Sequence, residues 1–375
     1  MSKKVAIVCD WLTNVGGAEK LLLRVHQLYP DAPIYTSKYS KKGIDWFNDA
    51  DVRTGWLQIF PAKMRRVLGP LRQHYFNHLD LSNYDIIISV TGAEAKSVKK
   101  GNAKHFCFCH VPTQYYWQMY DDYVKNPGFG ILNPIVRFFF KLFVRPLRKA
   151  DFKAAQRPDF FITISEHAKR QIETYYKRDA IVIHPPVEIE DFKNQKLTSA
   201  NDTSAALNLE KPYINTSRQV NWKRLDLCIK ACLKTNQPLV LIGEGPEHEH
   251  LVKLANGSPL IKFLPLMDKT SIAKHLANAK AFLFPSLEPF GIAPVEALAA
   301  GCPVIAFKEG GSLDYIEDGK NGLLFDKQTA QSLADAITKF ETLNFDKSVV
   351  SSTANKFSVA RFDKELTEFI NEKTR

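Results

Sequence analysis

Short apolar runs recur through the first half of the chain, each closed by a polar or turn-forming residue. They are KVAIVCD (Lys4–Asp10), YDIIISV (Tyr84–Val90), KHFCFCH (Lys104–His110), DFFITIS (Asp159–Ser165) and AIVIHPP (Ala180–Pro186). Continuous rather than alternating apolar character is what a strand covered on both faces needs. Between these runs, stretches such as AEKLLLRVHQLY and EHAKRQIETYY place apolar residues at helical spacing. The alternation predicts βαβ units and a parallel sheet.

Past HPPV, at 184–187, the texture changes. EIEDFKNQKLTSANDTSAALNLEKP has the polar composition of a linker or exposed loop. The pattern then resumes with YINTS, PLVLIGEG, IKFLP, AFLFP and CPVIAF, which predicts a second parallel α/β unit. The expected fold class is α/β, two Rossmann-like domains over residues 1–190 and 191–355, with a last helix inside 356–375 that can pack on either domain, the N-terminal one included. Open parallel sheets take ligands at the carboxyl ends of their strands, where loops offer backbone donors and helices present their N-termini. Two such domains facing each other would form a central cleft, and every candidate below falls in a loop just after a predicted strand.

At 375 residues the chain is long for one core, in line with about two or three domains. With 45% hydrophobic and 24% charged residues it lies in the globular range, and no tract is polar enough to be disordered throughout. The formal charge of +11 suits polyanionic company: phosphorylated ligands, an anionic membrane surface or nucleic acid. No recognition motif accompanies the charge, so nucleic acid is not expected. Six cysteines without a signal-peptide pattern fit reduced thiols in a cytoplasm. No window approaches the ~18 uninterrupted apolar residues of a spanning helix, so membrane contact would be peripheral.

Gly16 and Gly17 open a helix after the first strand, where a tight turn and free N–H groups can meet an anion. A plain turn explains them equally well, and neither a dinucleotide fingerprint nor a P-loop is present. In HFCFCHVPTQYYW, His105, Cys107 and Cys109 alternate onto one strand face without a second ligand pair, so buried small side chains explain them better than a metal. His110 leaves the strand end, where an imidazole can hydrogen-bond a sugar. Arg218 and Lys223 follow the strand that opens the second unit and can converge on one diphosphate, although a solvated basic loop explains an isolated pair better. LIGEGPEHEHL is another strand-to-helix turn at Gly243 and Gly245. In SLEPFGIAPVEALAAGCPVI, a helix is predicted to start near Ala293 with Pro294 at its first position. Glu296 then falls in the first turn, where an anion suits the helix dipole. Glu288 has no such explanation. It lies beside the N–H groups of Phe290, Gly291 and Ile292, and two carboxylates there suggest a polyhydroxylated ligand that also carries negative charge.

Glu288 and Glu296, set as E-x7-E in EPFGIAPVEALAAGCPVIA, resemble the signature of the retaining glycosyltransferases of family 4, which have the GT-B fold. Gly16–Gly17, His110, TISEHAKRQI, the R-x4-K of Arg218 and Lys223, and GEGP at 243–246 extend the resemblance over most of the chain. HVPTQYYW and AAQRPDFFITIS look most like mannosyltransferase-type members that build bacterial surface polysaccharides. The resemblance implies a nucleoside-diphosphate sugar as donor, GDP-mannose favoured, and a glycan or lipid-linked acceptor. It further implies that Glu296 holds the donor ribose, that Glu288 binds hydroxyls of the transferred sugar, and that Phe290, Gly291 and Ile292 meet sugar and diphosphate. Arg218 and Lys223 would neutralise the leaving diphosphate, so no metal or other cofactor is expected. Gly16 and Gly17 would contact the diphosphate, and His110 the donor sugar near its anomeric centre. The chain departs from the pattern at Ser217 and Arg224, where glycines are usual.

Two other functions fit parts of the sequence. A GT-B-shaped sugar-nucleotide epimerase would turn over donor without acceptor, but no acidic base pair suited to proton abstraction stands out. A non-enzymatic basic protein would use FGILNPIVRFFFKLFVRPLRKADFKAA, Phe129–Ala155, whose aromatics and Arg137, Lys141, Arg145, Arg148 and Lys149 suit an interfacial helix. A buried helix with a basic rim reads the same way. For the enzyme, such a helix would dock it on an anionic membrane surface beside a lipid-linked acceptor, a cytoplasmic protein peripheral to the cell membrane.

Overall fold

The computed structural model describes residues 3–62, 64, 68–125, 127, 130–193 and 211–375. The polar stretch read as a linker falls outside them over 194–210, as does Phe129. The chain divides into two compact units, Met1–His184 with Asp363–Arg375, and Pro185–Phe362.

Among the described residues the first unit holds a seven-stranded sheet: β1 (Val5–Cys9), β2 (Ile34–Thr36), β3 (Val52–Thr54), β4 (Ile86–Thr91), β5 (Lys104–Cys109), β6 (Phe160–Thr163) and β7 (Ile181–Val182). Their order is β3-β2-β1-β4-β5-β6-β7, and every pairing is parallel. Ile7 stands opposite Ile34 on one side and Ile88 on the other, and β4 is buried along its whole length. That burial is why these strands read as unbroken apolar runs. The second unit holds β8 (Tyr213–Thr216), β9 (Leu239–Ile242), β10 (Ile261–Leu264), β11 (Phe282–Phe284), β12 (Val304–Phe307) and β13 (Gly322–Phe325). Their order is β10-β9-β8-β11-β12-β13, again parallel throughout. The strands β2, β3 and β13 escape the sequence pattern because they are short, and β3 is largely exposed while β13 begins at a glycine.

The division comes after His184 rather than after residue 190, because the segment that follows is bonded into the second unit. Val187 N–H donates to the Phe357 carbonyl (2.9 Å), and Lys269 pairs with Asp191 (2.8 Å) and Glu188. The last helix, Val359–Lys373, begins in the second unit and from Asp363 onward is part of the first. There Asp363 pairs with Arg24 (2.7 Å to Nε), and Phe369 meets the stacked rings of Phe106 and Phe160 edge-on at 5.9 Å.

Two charge pairs are built into the core of the first unit. Arg72 holds Glu94 through Nε (2.9 Å) and Nη2 (3.2 Å), with the Tyr115 hydroxyl donating to the same carboxylate (2.7 Å). Lys96 holds Asp151 at 2.6 Å, and Asp151 also accepts from Thr113 (2.9 Å), Trp117 (2.7 Å) and Tyr176 (2.8 Å). All four charged side chains are at most 4% exposed. Burial opposes the charge on Lys96, but Asp151 holds its ammonium well above the ordinary lysine range. Removing one partner leaves a buried charge without compensation, which costs far more than the pair contributes. Asp151→Asn is therefore expected to lower the urea stability of this unit by about 3 kcal/mol or more. Lys96→Met added to it should recover part of the loss. A single change costing under about 1 kcal/mol would show that the pair is hydrated rather than buried.

Candidate functional site

In each sheet the strand order reverses once, between β1 and β4 and between β8 and β11. The loops leaving those two strands turn in opposite directions and open a crevice at the carboxyl edge, the place where such sheets take ligands. In the second unit these are the loop after β8, Ser217–Arg224, and the loop after β11, Pro285–Gly291. They are joined by an ion pair. Lys223 Nζ lies 2.6 Å from Glu288 Oε1, and Ser286 donates to the same oxygen at 2.7 Å. Lys223 and Glu288 retain 16% and 13% side-chain exposure, enough for a ligand to reach them. The Lys223 ammonium also stands 4.6 Å from the centre of the exposed Trp222 ring.

Glycines allow the surrounding loops to close on this pair. At Gly311 a Cβ would lie 2.3 Å from Phe290 Cα, and at Gly310 (φ 82°) it would lie 2.5 Å from the Glu288 carbonyl. Gly311 N–H donates to that carbonyl (2.8 Å), and the buried Tyr315 hydroxyl donates to the carbonyl of Phe290 (2.9 Å). The loop carrying Glu288 is thus clasped by the loop after β12. On the other side, Cβ atoms at Gly243 and Gly245 would lie 2.3 Å from the Ser217 carbonyl and 2.2 Å from that of Gln219. Buried Gln219 ties the two turns together, donating to the Gly243 carbonyl (2.6 Å) and meeting His248 Nδ1 (2.8 Å). Arg224 sits at φ 54°, the left-handed region that suits a glycine. Its guanidinium is held by Asp226 (3.1 Å) and Gln328 (3.2 Å). Ser217 needs no glycine conformation and bonds Asn215 (2.6 Å).

The helix after this loop runs Ile292–Ala299 with Gly291 as its N-cap at φ 93°. It starts at Ile292, two residues before the proline that was expected at its first position. Pro294 is its third residue, tolerated there because the first-turn N–H groups have no intrahelical acceptor. Glu296 consequently lies beyond the first turn, and the helix-dipole explanation for a carboxylate at that position falls away. The N–H groups at the helix start are those of Gly291, Ile292 and Ala293, whereas Phe290 is 3% exposed with its carbonyl taken by Tyr315. Arg218 is exposed and makes no ion pair among the described residues.

In the first unit the same reversal brings together the loops after β1 and β4. Asp10, buried at the end of β1, accepts from the Thr91 hydroxyl (2.9 Å), the Gly92 N–H (2.9 Å) and the Ala95 N–H (2.8 Å). His110 follows β5 and is half-buried; its N–H donates to the Thr91 carbonyl (2.9 Å). Burial pushes its imidazole down to about 4 against the opposing pull of Asp10, so it is neutral at pH 7. Gly17 is the first residue of the helix Gly17–Leu28, capped by Gly16. Gly16 has extended backbone that any residue adopts, and a Cβ there would meet only the tip of Glu19, at 2.8 Å. A carboxylate thus lies in the first turn where an anion was expected to bind. His105 faces Ser89 (2.8 Å), and Cys107 and Cys109 are buried. Among the described residues no three His, Cys, Asp or Glu side chains are grouped to hold a metal ion.

The structure therefore joins Lys223 and Glu288 directly, sets Gly291 and Ile292 on the adjoining helix start, and places His110 and Gly16–Gly17 in the other unit. Ser286, Gly310–Gly311, Gln219 and Asp10 were not singled out as site residues from the sequence. The adjacent glycines of KEGGS after an apolar run, and an aspartate ending the first strand, were the available signals.

Residues 200–357 match the family model for Glycosyl transferases group 1. An uncharacterized glycosyltransferase of Bacillus subtilis, YqgM, is 30% identical over 191 residues, which are 48% of this chain and 51% of that protein. A D-inositol 3-phosphate glycosyltransferase of Nocardioides is 25% identical over 214 residues, 50% of this chain and 47% of that one. The chain thus spans about half the length of these curated relatives. Among solved structures, Anabaena HepE in complex with UDP-glucose superposes with a TM-score of 0.69 at 20% identity, covering 99% of this chain and all of that one. The lipopolysaccharide outer core galactosyltransferase WaaB gives 0.68 at 16% identity over 99% of both chains. The chain has the two parallel-sheet α/β domains of these GT-B glycosyltransferases.

An ordinary histidine titrates near 6.5, so His110 at about 4 and His105 at about 3 have depressed folded-state values. Between these limits the unfolded chain takes up protons that the folded chain refuses. The stability they confer is complete above pH 6.5 and is lost as pH falls. Each contributes a slope of about 1.4 kcal/mol per pH unit in that window. His110→Gln should therefore lose about 2 kcal/mol less than wild type between pH 7 and pH 5 in urea unfolding. Equal losses would mean that His110 is hydrated and free to charge.

Proposed function

We propose that this protein is a glycosyltransferase that moves a hexosyl unit from a nucleoside-diphosphate sugar to a glycan or lipid-linked acceptor with retention of configuration. The observation that carries the reading is the Lys223–Glu288 pair at the strand-order reversal. A cation for a diphosphate and a carboxylate for sugar hydroxyls stand side by side, next to a helix start that offers N–H groups. Lys223, with the exposed Arg218 able to swing in, stabilises the charge that develops on the leaving diphosphate, the largest task in such a transfer. Glu288 accepts from hydroxyls of the transferred sugar while Lys223 turns toward phosphate. Gly291 and Ile292 donate to phosphate or sugar, with Phe290 fixing the turn, and Glu296 holds the ribose. Gly16 and Gly17 would meet the diphosphate, with Glu19 displaced.

In the reaction the bond from the anomeric carbon to the diphosphate oxygen breaks, and the acceptor oxygen bonds that carbon on the same face. The acceptor proton passes to the departing phosphate oxygen. Neutral His110 serves as a hydrogen-bond donor to the sugar rather than as an acid. No metal enters this scheme, since Arg218 and Lys223 supply the positive charge.

Mannose, carried by GDP, is the favoured sugar on the likeness of HVPTQYYW and AAQRPDFFITIS to mannosyltransferases. The solved UDP-glucose complex of HepE makes UDP-glucose the competing donor. A thermal-shift series with GDP-mannose, UDP-glucose and UDP-galactose separates them, because the true donor raises Tm by mass action. Glu288→Gln and Lys223→Ala are each expected to lower kcat/KM for transfer by ~100-fold or more. Transfer at the wild-type rate in both would sink the assignment. Donor turnover that needs no acceptor would instead favour the epimerase.

A further inference from the structure

The helix Asn133–Ala154 of the first unit is held by few of its own side chains. Val144, Asp151 and Ala154 are buried, and Phe140 is half-buried beside Tyr116 and Tyr120. Ile135, Phe138, Phe139, Leu142 and Phe143 are all more than half exposed, Phe138 most of all at 64%. Their spacing, i, i+3, i+4, i+7 and i+8, puts them on one side of the helix. Soluble proteins rarely leave such a run of large apolar side chains open to water. The alternative of a buried helix with a basic rim is therefore excluded for this stretch.

The charges of this helix fall into two sets. Arg137 and Arg148 turn to the protein, donating to the carbonyls of Val124 (2.9 Å) and Tyr116 (2.5 Å). Lys141, Arg145 and Lys149 are exposed and, at 100° per residue, lie along one flank of the apolar face. The one acidic residue, Asp151, is buried on Lys96. What this helix presents outward is thus apolar in its first turns, cationic along its edge and free of anions.

We propose that this face docks the protein on an anionic lipid bilayer. The phenylalanines and leucine would enter the acyl boundary, and Lys141, Arg145 and Lys149 would meet lipid phosphates with their stems lying along the surface. A second copy of the chain is the poorer occupant, because a two-fold contact through this face would bring the same cationic flanks together. Docking does not depend on which sugar is transferred. Among the described residues no helix is long and apolar enough to cross a membrane, and the proposal calls only for surface binding.

The experiment is vesicle co-sedimentation of the full chain with phosphatidylglycerol/phosphatidylcholine vesicles and with phosphatidylcholine alone, at low and high salt. Wild type is expected to bind the anionic vesicles and to weaken with salt. The triple change Phe138→Ser, Phe139→Ser, Leu142→Ser should reduce partition by ~10-fold or more. Lys141→Glu, Arg145→Glu, Lys149→Glu should remove the preference for anionic lipid. All six positions are exposed, and circular dichroism checks that both variants stay folded. Glu288→Gln should partition like wild type, which separates docking from catalysis. Absence of wild-type binding, or binding unchanged in both triple variants, overturns the proposal. So does a wild-type dimer in sedimentation that the serine variant dissolves, since a second copy would then cover the face.

Discussion

All paired strands in both sheets run the same way, and this constraint governs everything else in the molecule. Parallel pairing sends every loop that leaves a carboxyl end off the same edge, and the single reversal of strand order makes two of those loops part company. At β8 and β11 that parting sets Lys223 on one lip and Glu288 on the other, 2.6 Å apart. At β1 and β4 it sets Asp10 against the backbone of Gly92 and Ala95. The same topology thus yields a charge pair open to ligand in one unit and a closed carboxylate in the other.

Holding charges at these edges costs desolvation, and the molecule offsets it with close, multiply bonded partners. Glu288 has Lys223 and Ser286, and Asp10 has three donors. Glu94 has Arg72 and Tyr115, although burial still pushes its carboxyl upward. Glycine makes the necessary backbone approaches possible where any Cβ would collide, at Gly243, Gly245, Gly310 and Gly311. Arg224 is the exception, a non-glycine residue in left-handed backbone, kept there by Asp226 and Gln328. Such strain next to Lys223 fits a loop whose position matters more than its stability.

Much of this was legible in the sequence. The long buried strands announced themselves as unbroken apolar runs, and EHAKRQIETYY reads as the helix it forms, Glu166–Tyr176, capped by Ser165. Glu288 stood out because nothing local explained a carboxylate there, and its structure supplies the partner. Four features were not legible. The strands β2 and β3 are three residues each, too short for a period to show. Pro294 pointed to its own helix position wrongly, because a proline fits anywhere in a first turn that lacks acceptors for its N–H groups. The buried pairs join residues far apart in the chain, Lys96 with Asp151 and Arg72 with Glu94, and no spacing rule reaches that far. Exposure of the phenylalanine face was likewise undecidable, since an amphipathic pattern reads the same whether its apolar side meets a core or a bilayer.

The most direct test of the account is calorimetric titration of GDP and UDP into wild type, Lys223→Ala, Glu288→Gln and the double variant. If the paired loops form the diphosphate site, one nucleotide binds wild type and Lys223→Ala weakens it by ~10-fold or more. The two changes should then couple by about 1 kcal/mol, because each alters the partner that the other side chain has. Equal affinity in wild type and Lys223→Ala for the nucleotide that binds would contradict the claim that the strand-order reversal of the second unit is where the donor is held.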